Sequence, residues 1–125
     1  MSGAALNRPL SQIHIKDLRL RTFIGFNEEE QRKRQDVVVN IRIDYDALAA
    51  ARGDAVDEAL DYKTITKQVI AHVEENRFLL LEKLVNDLVE IVMAHDAAKA
   101  TEVEVDKPHA LRFSDSVSLT MAASR

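Results

Sequence analysis

The sequence predicts an α+β domain with the element order ββααββ, in which two helices pack on one face of an antiparallel sheet. Two patterns of apolar residues predict it. They alternate with polar residues in segments near both ends of the chain, which is typical of strands, and they recur every three or four residues in the middle, which is typical of helices. The chain of 125 residues is the size of one ordinary domain, so we expect a single domain over residues 1–125 with a loose tail at 1–10.

The first two predicted strands come early in the chain. From Ile13 to Ile24 the apolar residues alternate, with a change of phase near Lys16–Asp17 that predicts a β-bulge. From Val37 to Tyr45 the alternation is unbroken, so one face of this strand is apolar and the other is polar. Such a pattern indicates a strand with one buried face.

Two amphipathic helices are predicted next. Ile65, Val69 and Val73 recur every four residues, and Asp61 is a suitable N-cap for their helix. A short break follows at residues 76–78. The apolar positions of the second helix are Leu81, Leu84, Val85, Leu88, Ile91 and Val92.

Alternation returns in two final strands, around residues 101–105 and 117–121. With the helices on one side, these elements form the two layers of an α+β domain. The edges of a small sheet need cover or a partner. We therefore expect copies of the chain to join edge to edge in a ring.

Composition excludes several classes of protein and site. The net charge is −4 and aromatic residues make up 5%, which disfavours a nucleic-acid-binding module. There is no cysteine, so disulfides and thiolate metal sites are excluded. The four histidines show no metal-binding spacing, and no apolar stretch approaches the length of a membrane span, so we expect no metal, no membrane partner and a cytoplasmic location.

Two charged residues stand where chemistry is plausible. Lys107 precedes Pro108 at the predicted end of the third strand, and proline restricts the residue before it. Glu82 stands among leucines near the start of the second helix, where we expect it to be partly buried and stabilised by the helix N-terminus. A carboxylate there can accept two hydrogen bonds from the N–H edge of a pterin or guanine. The alternatives are a solvated surface lysine and an ordinary first-turn glutamate.

Tyr62 and the loop from Gly25 to Asp36 are less specific. Tyr62 begins the first helix, where its phenol could stack on a ring or relay a proton, although a packing role is more common. The loop carries a run of charged residues that includes Glu30, and such runs are usually solvated.

Taken together, these residues resemble a known family. Gly25, Glu30, Gln35, Asp61-Tyr62, Glu82 and Lys107-Pro108 occur in the order and spacing of the dihydroneopterin aldolases, and the resemblance extends from about Ile13 to Met121. It implies the T-fold, assembly into tetrameric rings that stack into octamers, and catalysis without metal or organic cofactor. The chain departs from the common aldolase pattern at Asp61 and at His109.

The resemblance also implies roles for individual residues. Lys107 matches the catalytic lysine, and Glu30 matches the loop glutamate near the reacting side chain. Tyr62 matches the tyrosine that reaches the substrate from the neighbouring subunit. Glu82, with Leu81 beside it, matches the group that binds the pterin.

Further blocks of sequence are similar to the branch of the family that inverts C2' of dihydroneopterin triphosphate by a retro-aldol and aldol sequence. These blocks are residues 18–25, 34–36, 76–78, 80–84, 109–112 and 115–118. This branch implies a substrate with three phosphates, for which Arg19, Arg21, His109 and Arg112 are candidate ligands. Alternation places Arg19 and Arg21 on one strand face, where they could also be ordinary surface arginines.

Two other functions remain open: aldolase cleavage that releases glycolaldehyde, and a ring that binds pterins without catalysis.

Overall fold

A computed structural model describes residues 6–125. Residues 6–10 are exposed and form neither helix nor strand, and the rest of the expected tail lies outside the described residues. The elements are β1 (Ser11–Ile24), β2 (Gln35–Tyr45), α1 (Leu48–Gly53), a 3₁₀ turn (Val56–Glu58), α2 (Tyr62–Glu75), β3 (Arg77–Phe78), α3 (Leu81–Met93), β4 (Ala100–Pro108) and β5 (Ser116–Ser124).

The sheet has the strand order β3-β1-β2-β4-β5. Its long strands pair antiparallel, and only the two-residue β3 runs parallel to its neighbour β1. The predicted α+β class and the order of the six main elements are therefore confirmed. The sequence patterns missed α1 and β3, because α1 buries no side chain and β3 is too short to show alternation.

The core lies between one face of the sheet and the helices α2 and α3, as predicted. These side chains are branched aliphatics, and burying each one fully contributes roughly 1.5–3 kcal/mol. Buried aliphatic core residues of the sheet include Leu20, Ile24, Val37, Val39, Ile41, Ile43, Val103 and Val105, and those of the helices are Ile65, Val69, Val73, Leu84, Val85, Leu88, Val89 and Val92.

Two local predictions are confirmed. The pairing of β1 with β2 shifts between Ile15 and Leu18, where Asp17 has a positive φ of 50° and its N–H donates to the side chain of Asn40. This is the expected bulge. Asp61 caps α2, because its Oδ1 accepts from the backbone N–H of Thr64 at 3.0 Å.

One boundary differs. The strand was expected to end at Lys107, before the proline. Instead β4 includes Pro108, which pairs with Ser116. Proline lacks the N–H donor but can stand in an end position of a strand. The chain turns at His109, whose φ is 61°.

Both sheet edges are open in the described part of the chain. β5 pairs with β4 only, and β3 covers just the last two residues of β1. Ring assembly, which would use these edges, stays a prediction. Among residues 6–125, no helix has the length and apolar character needed to cross a bilayer.

Candidate active site

A cavity of about 330 Å³ opens at one end of the sheet. It is bounded by the end of β1, the loop that follows, the start of α3, the end of β4 and the start of β5. Four of the nine predicted site residues line it: Glu30, Leu81, Glu82 and Lys107. Residues far apart in sequence are thus brought together because β1 and β4 flank the central strand β2 and end on the same side.

Lys107 and Glu30 form an ion pair inside this cavity. The Nζ atom of Lys107 donates to Oε2 of Glu30, and their side chains are only 14% and 21% exposed. The hydrogen bond from Lys107 holds the pKa of the Glu30 carboxyl below its ordinary value, against the opposing effect of burial. The pair therefore presents an ammonium and a carboxylate side by side to any ligand in the cavity.

A reciprocal contact fixes the loop that carries Glu30. The N–H of Glu30 donates to Oδ1 of Asn27 at 2.8 Å, and the N–H of Asn27 donates weakly back to Oε1 of Glu30 at 3.4 Å. Sequence reasoning missed Asn27. The spacing of an Asn or Ser three residues before a Glu, which marks the capping box of helices, could have found it.

Acid is expected to remove the stability that the ion pair supplies. Because the folded-state pKa of Glu30 is lowered, its contribution is complete above the ordinary glutamate value of about 4.3 and disappears as pH falls through the lower folded-state pKa. Urea unfolding of the wild type and Glu30→Gln at a series of pH values would measure it. As the pH falls through this range, the free energy of unfolding of the wild type should fall to that of Glu30→Gln. A difference independent of pH would contradict the expectation.

Gly25 makes room for the Glu30 carboxyl. Its φ is 124°, a conformation that is essentially restricted to glycine, and its N–H donates to the carbonyl of Phe78 at 2.9 Å. A Cβ built on Gly25 would overlap the carboxyl group of Glu30. Beside it, Gln35 donates to the carbonyl of Ile24 at 2.6 Å, which ties the two ends of the loop together.

Gly25→Ala is expected to destabilise the fold by about 1–3 kcal/mol through backbone strain, and to displace Glu30 from Lys107. Urea unfolding would measure the loss of stability. The pH dependence of the stability that is assigned to Glu30 should also become weaker in this variant. Gly53→Ala is a matched control, because its new Cβ would meet only the Cβ of Ala55 at 3.7 Å. Equal stability of Gly25→Ala and the wild type would refute this assignment.

Glu82 lies in the first turn of α3, as predicted, but it is exposed. The expectation of partial burial is wrong for a single chain, because the preceding Leu79 and Leu80 are themselves 61% and 49% exposed and do not cover it. Within residues 6–125 its carboxylate has no hydrogen-bond partner, and Leu80 supplies no side-chain cap to the helix. Glu82 is therefore free to accept hydrogen bonds from a ligand at a helix N-terminus, and Leu81 packs beside it against the core.

Tyr62 does not line this cavity. It begins α2, is 46% exposed, and lines a separate open groove of about 580 Å³ together with Val56 and Leu60. The phenol of one chain therefore does not share the cavity of its own Lys107.

The four candidate phosphate ligands also lie outside the cavity, in two groups. Arg19 and Arg21 are exposed on β1, and Arg21 pairs with Asp36 at 3.3 Å. His109 and Arg112 belong to the exposed loop between β4 and β5, where the guanidinium of Arg112 lies 5.2 Å from the ring centre of Phe113.

Comparison with known proteins agrees with the fold. The family model described as FolB, dihydroneopterin aldolase, matches residues 13–122. A dihydroneopterin triphosphate 2'-epimerase of Pseudomonas aeruginosa is 53% identical over 93% of this chain and 94% of its own length. The protein of the same name in Escherichia coli K12 is 51% identical, over 94% and 98%.

Aldolases are more distant. The dihydroneopterin aldolase of Escherichia coli K12 is 31% identical over 79% of this chain and 81% of its own length. A crystal structure of E. coli dihydroneopterin aldolase in complex with neopterin has a TM-score of 0.88 and 28% identity, and covers 92% of this chain and 100% of that chain. The chain belongs to the dihydroneopterin aldolase family.

Proposed function

We propose that the chain is an enzyme that epimerises 7,8-dihydroneopterin triphosphate at C2' to give 7,8-dihydromonapterin triphosphate. The observation that carries the proposal is the Lys107–Glu30 ion pair in a cavity that Glu82 also lines, where the Glu82 carboxylate has no hydrogen-bond partner among residues 6–125. The choice of epimerase over aldolase rests on the higher identity to the proteins named epimerase, 53% and 51% against 31%.

The chemistry needs an acid and a base, but no cofactor. The dihydropterin ring has a C=N bond next to the side chain, and this bond can accept the electron pair when the C1'–C2' bond breaks. A base removes the 2'-hydroxyl proton, and an acid protonates the ring nitrogen. The products are an enamine on the ring and an aldehyde that carries C2' and C3'. The substrate thus supplies its own electron sink, and no Schiff base with lysine is required.

Epimerisation follows when the aldehyde turns before the bond forms again. The enamine carbon then attacks the opposite face of the aldehyde, the ring nitrogen gives up its proton, and the new alkoxide takes one. If the aldehyde leaves instead, the same first step ends in aldolase cleavage. The two activities therefore differ in whether the fragment is retained.

We assign Lys107 as the group that exchanges a proton with the ring nitrogen and the 2'-hydroxyl, with Glu30 as the carboxylate that orients it. General acid–base groups of this kind contribute about 10²- to 10⁴-fold each. Glu82 accepts the N–H and amino edge of the pterin, and Leu81 packs against its ring. These assignments use groups that line one cavity.

Tyr62 is assigned to the cavity of a second copy, since it lies in a different groove of its own chain. The proposal therefore includes assembly into a tetramer or octamer through the open edges of the sheet. It also includes a cytoplasmic location. The residues proposed to bind the triphosphate, and so to retain the aldehyde fragment, are Arg19, Arg21, His109 and Arg112.

Product analysis tests the function. The protein is incubated with dihydroneopterin triphosphate and, separately, with dihydroneopterin, and the pterins are separated by chromatography. Inverted triphosphate with little cleavage is the expected result. Rapid release of glycolaldehyde from dihydroneopterin would make the chain an aldolase. If neither substrate is turned over, the chain is a pterin-binding ring without catalysis and the proposal fails.

A further inference from the structure

Two arginines lie against the ring of Phe23, near the cavity of Lys107. The guanidinium carbon of Arg77 is 3.8 Å from the ring centre, and that of Arg34 is 5.1 Å away. Parallel pairing of β1 with β3 sets Phe23 opposite Arg77. Arg21, two residues before Phe23 on the same strand face, donates to the carbonyl of Arg34 at 3.2 Å. We call Arg21, Arg34 and Arg77 the arginine cluster.

The charge of this cluster is mostly uncompensated. Arg34 donates to the carbonyl of Glu74 at 3.1 Å and Arg77 to the carbonyl of Gln31 at 3.0 Å, but within residues 6–125 neither forms a salt bridge with a carboxylate. Arg21 has one such partner, Asp36. In a chain with a net charge of −4, these three arginines, which have a single salt-bridged acidic partner among residues 6–125, concentrate positive charge at one place.

The cluster is also held in place before any ligand arrives. Each guanidinium has five N–H donors, so a single carbonyl contact leaves most of them free. Contact with the aromatic ring and with the carbonyl restricts the side chain, which reduces the entropy lost when a ligand binds. Arginine in this state is suited to the oxygens of a phosphate chain, which it can bind with two parallel hydrogen bonds.

Position links the cluster to the reacting centre. Gln31, whose carbonyl fixes Arg77, directly follows Glu30. Phe78, which directly follows Arg77, accepts the N–H of Gly25 on the cavity wall. The cluster therefore lies beside the loop that bears Glu30 and next to the C-terminal end of α2, where Arg34 contacts the carbonyl of Glu74.

We propose that Arg34 and Arg77 join Arg21, one of the four triphosphate ligands named above, in binding the triphosphate of the substrate while its pterin ring occupies the cavity. This inference rests on the proposed function. It assigns two residues, Arg34 and Arg77, that the sequence had not indicated for this role. When the C1'–C2' bond breaks, the fragment formed is glycolaldehyde triphosphate. The cluster holds that fragment through its phosphates so that the enamine can attack it again.

Binding of inorganic tripolyphosphate tests the cluster independently of catalysis. Isothermal titration at low salt would compare the wild type with Arg34→Gln and Arg77→Gln. Loss of a charged hydrogen-bond donor is expected to weaken binding about tenfold or more in each variant. Arg32→Gln is a matched control, because Arg32 lies in the same loop but pairs with Glu28 at 2.5 Å. Its affinity should equal that of the wild type.

Kinetics provide the second readout. In both cluster variants KM for dihydroneopterin triphosphate should rise about tenfold or more, and the ratio of cleaved to inverted product should rise with it. Turnover of unphosphorylated dihydroneopterin should match the wild type. If that turnover falls equally, the arginines only support the loop and the inference is wrong.

Two further results are decisive. Tripolyphosphate that fails to bind the wild type, or that binds all variants equally, would overturn the assignment. Binding that depends on Arg34 and Arg77 in a protein that turns over neither pterin would leave the anion site standing and refute the proposed function instead.

Discussion

Lys107→Ala is expected to lower kcat for dihydroneopterin triphosphate about 10²- to 10⁴-fold, the range for a lost general acid or base. The variant lacks the ammonium that we assign to proton exchange with the ring nitrogen, and it also leaves the carboxylate of Glu30 in a largely buried position without its cation. Binding of the pterin should change much less than kcat, because Glu82 is untouched. Steady-state kinetics with both pterin substrates, together with binding of a pterin at equilibrium, would separate the two effects.

Lys99→Ala is the control for this prediction. Lys99 immediately precedes β4, whereas Lys107 is near the other end of that strand. Among residues 6–125, the one hydrogen bond of the Lys99 Nζ goes to the carbonyl of Asp96 at 3.2 Å. Its kcat should equal that of the wild type. If Lys107→Ala kept most of its activity while remaining folded, neither the mechanism nor the role of the ion pair in it could stand.

Glu82→Gln is expected to raise KM about a hundredfold or more, since two hydrogen bonds to a charged acceptor are lost or weakened together. The amide of glutamine presents one oxygen and one NH₂ group, so it cannot accept from both N–H groups of the pterin edge. The fold should be unaffected because Glu82 is exposed and has no partner among residues 6–125. Equilibrium binding of neopterin would measure the loss directly.

Glu90→Gln is a matched control on the same helix. Glu90 is exposed and lies about two turns beyond Glu82, outside the cavity. It should bind neopterin like the wild type. An unchanged affinity in Glu82→Gln would mean that the pterin is anchored by another group, and the assignment of the cavity would need revision.

Much of the fold could be predicted because burial imposes a period on the sequence. The long strands and α2 and α3 each bury one face, so their apolar residues alternate or recur every three to four positions. The bulge near Asp17 and the cap at Asp61 could be predicted for similarly local reasons. In contrast, α1 buries nothing and β3 has two residues, so neither leaves a periodic signal.

The site was harder to predict because its residues meet only in three dimensions. The placement of Glu30 and Lys107 in one site came from family resemblance rather than from a local pattern, since a charged loop is usually solvated, and their ion pair was not predicted. The exposure of Glu82 depends on whether its leucine neighbours face inward, and Leu79 and Leu80 do not. Arg34 and Arg77 were not predicted as phosphate ligands, because they are far apart in sequence and meet only at the ring of Phe23.

The Lys107–Glu30 contact joins residues 77 positions apart. Contacts of such long sequence separation close large loops and form late, whereas the turns of α2 and α3 need only near neighbours. Catalytic competence should therefore return after helical circular dichroism during refolding. Partly folded chains with most of their secondary structure would be inactive, so enzymatic activity reports the amount of completely folded protein.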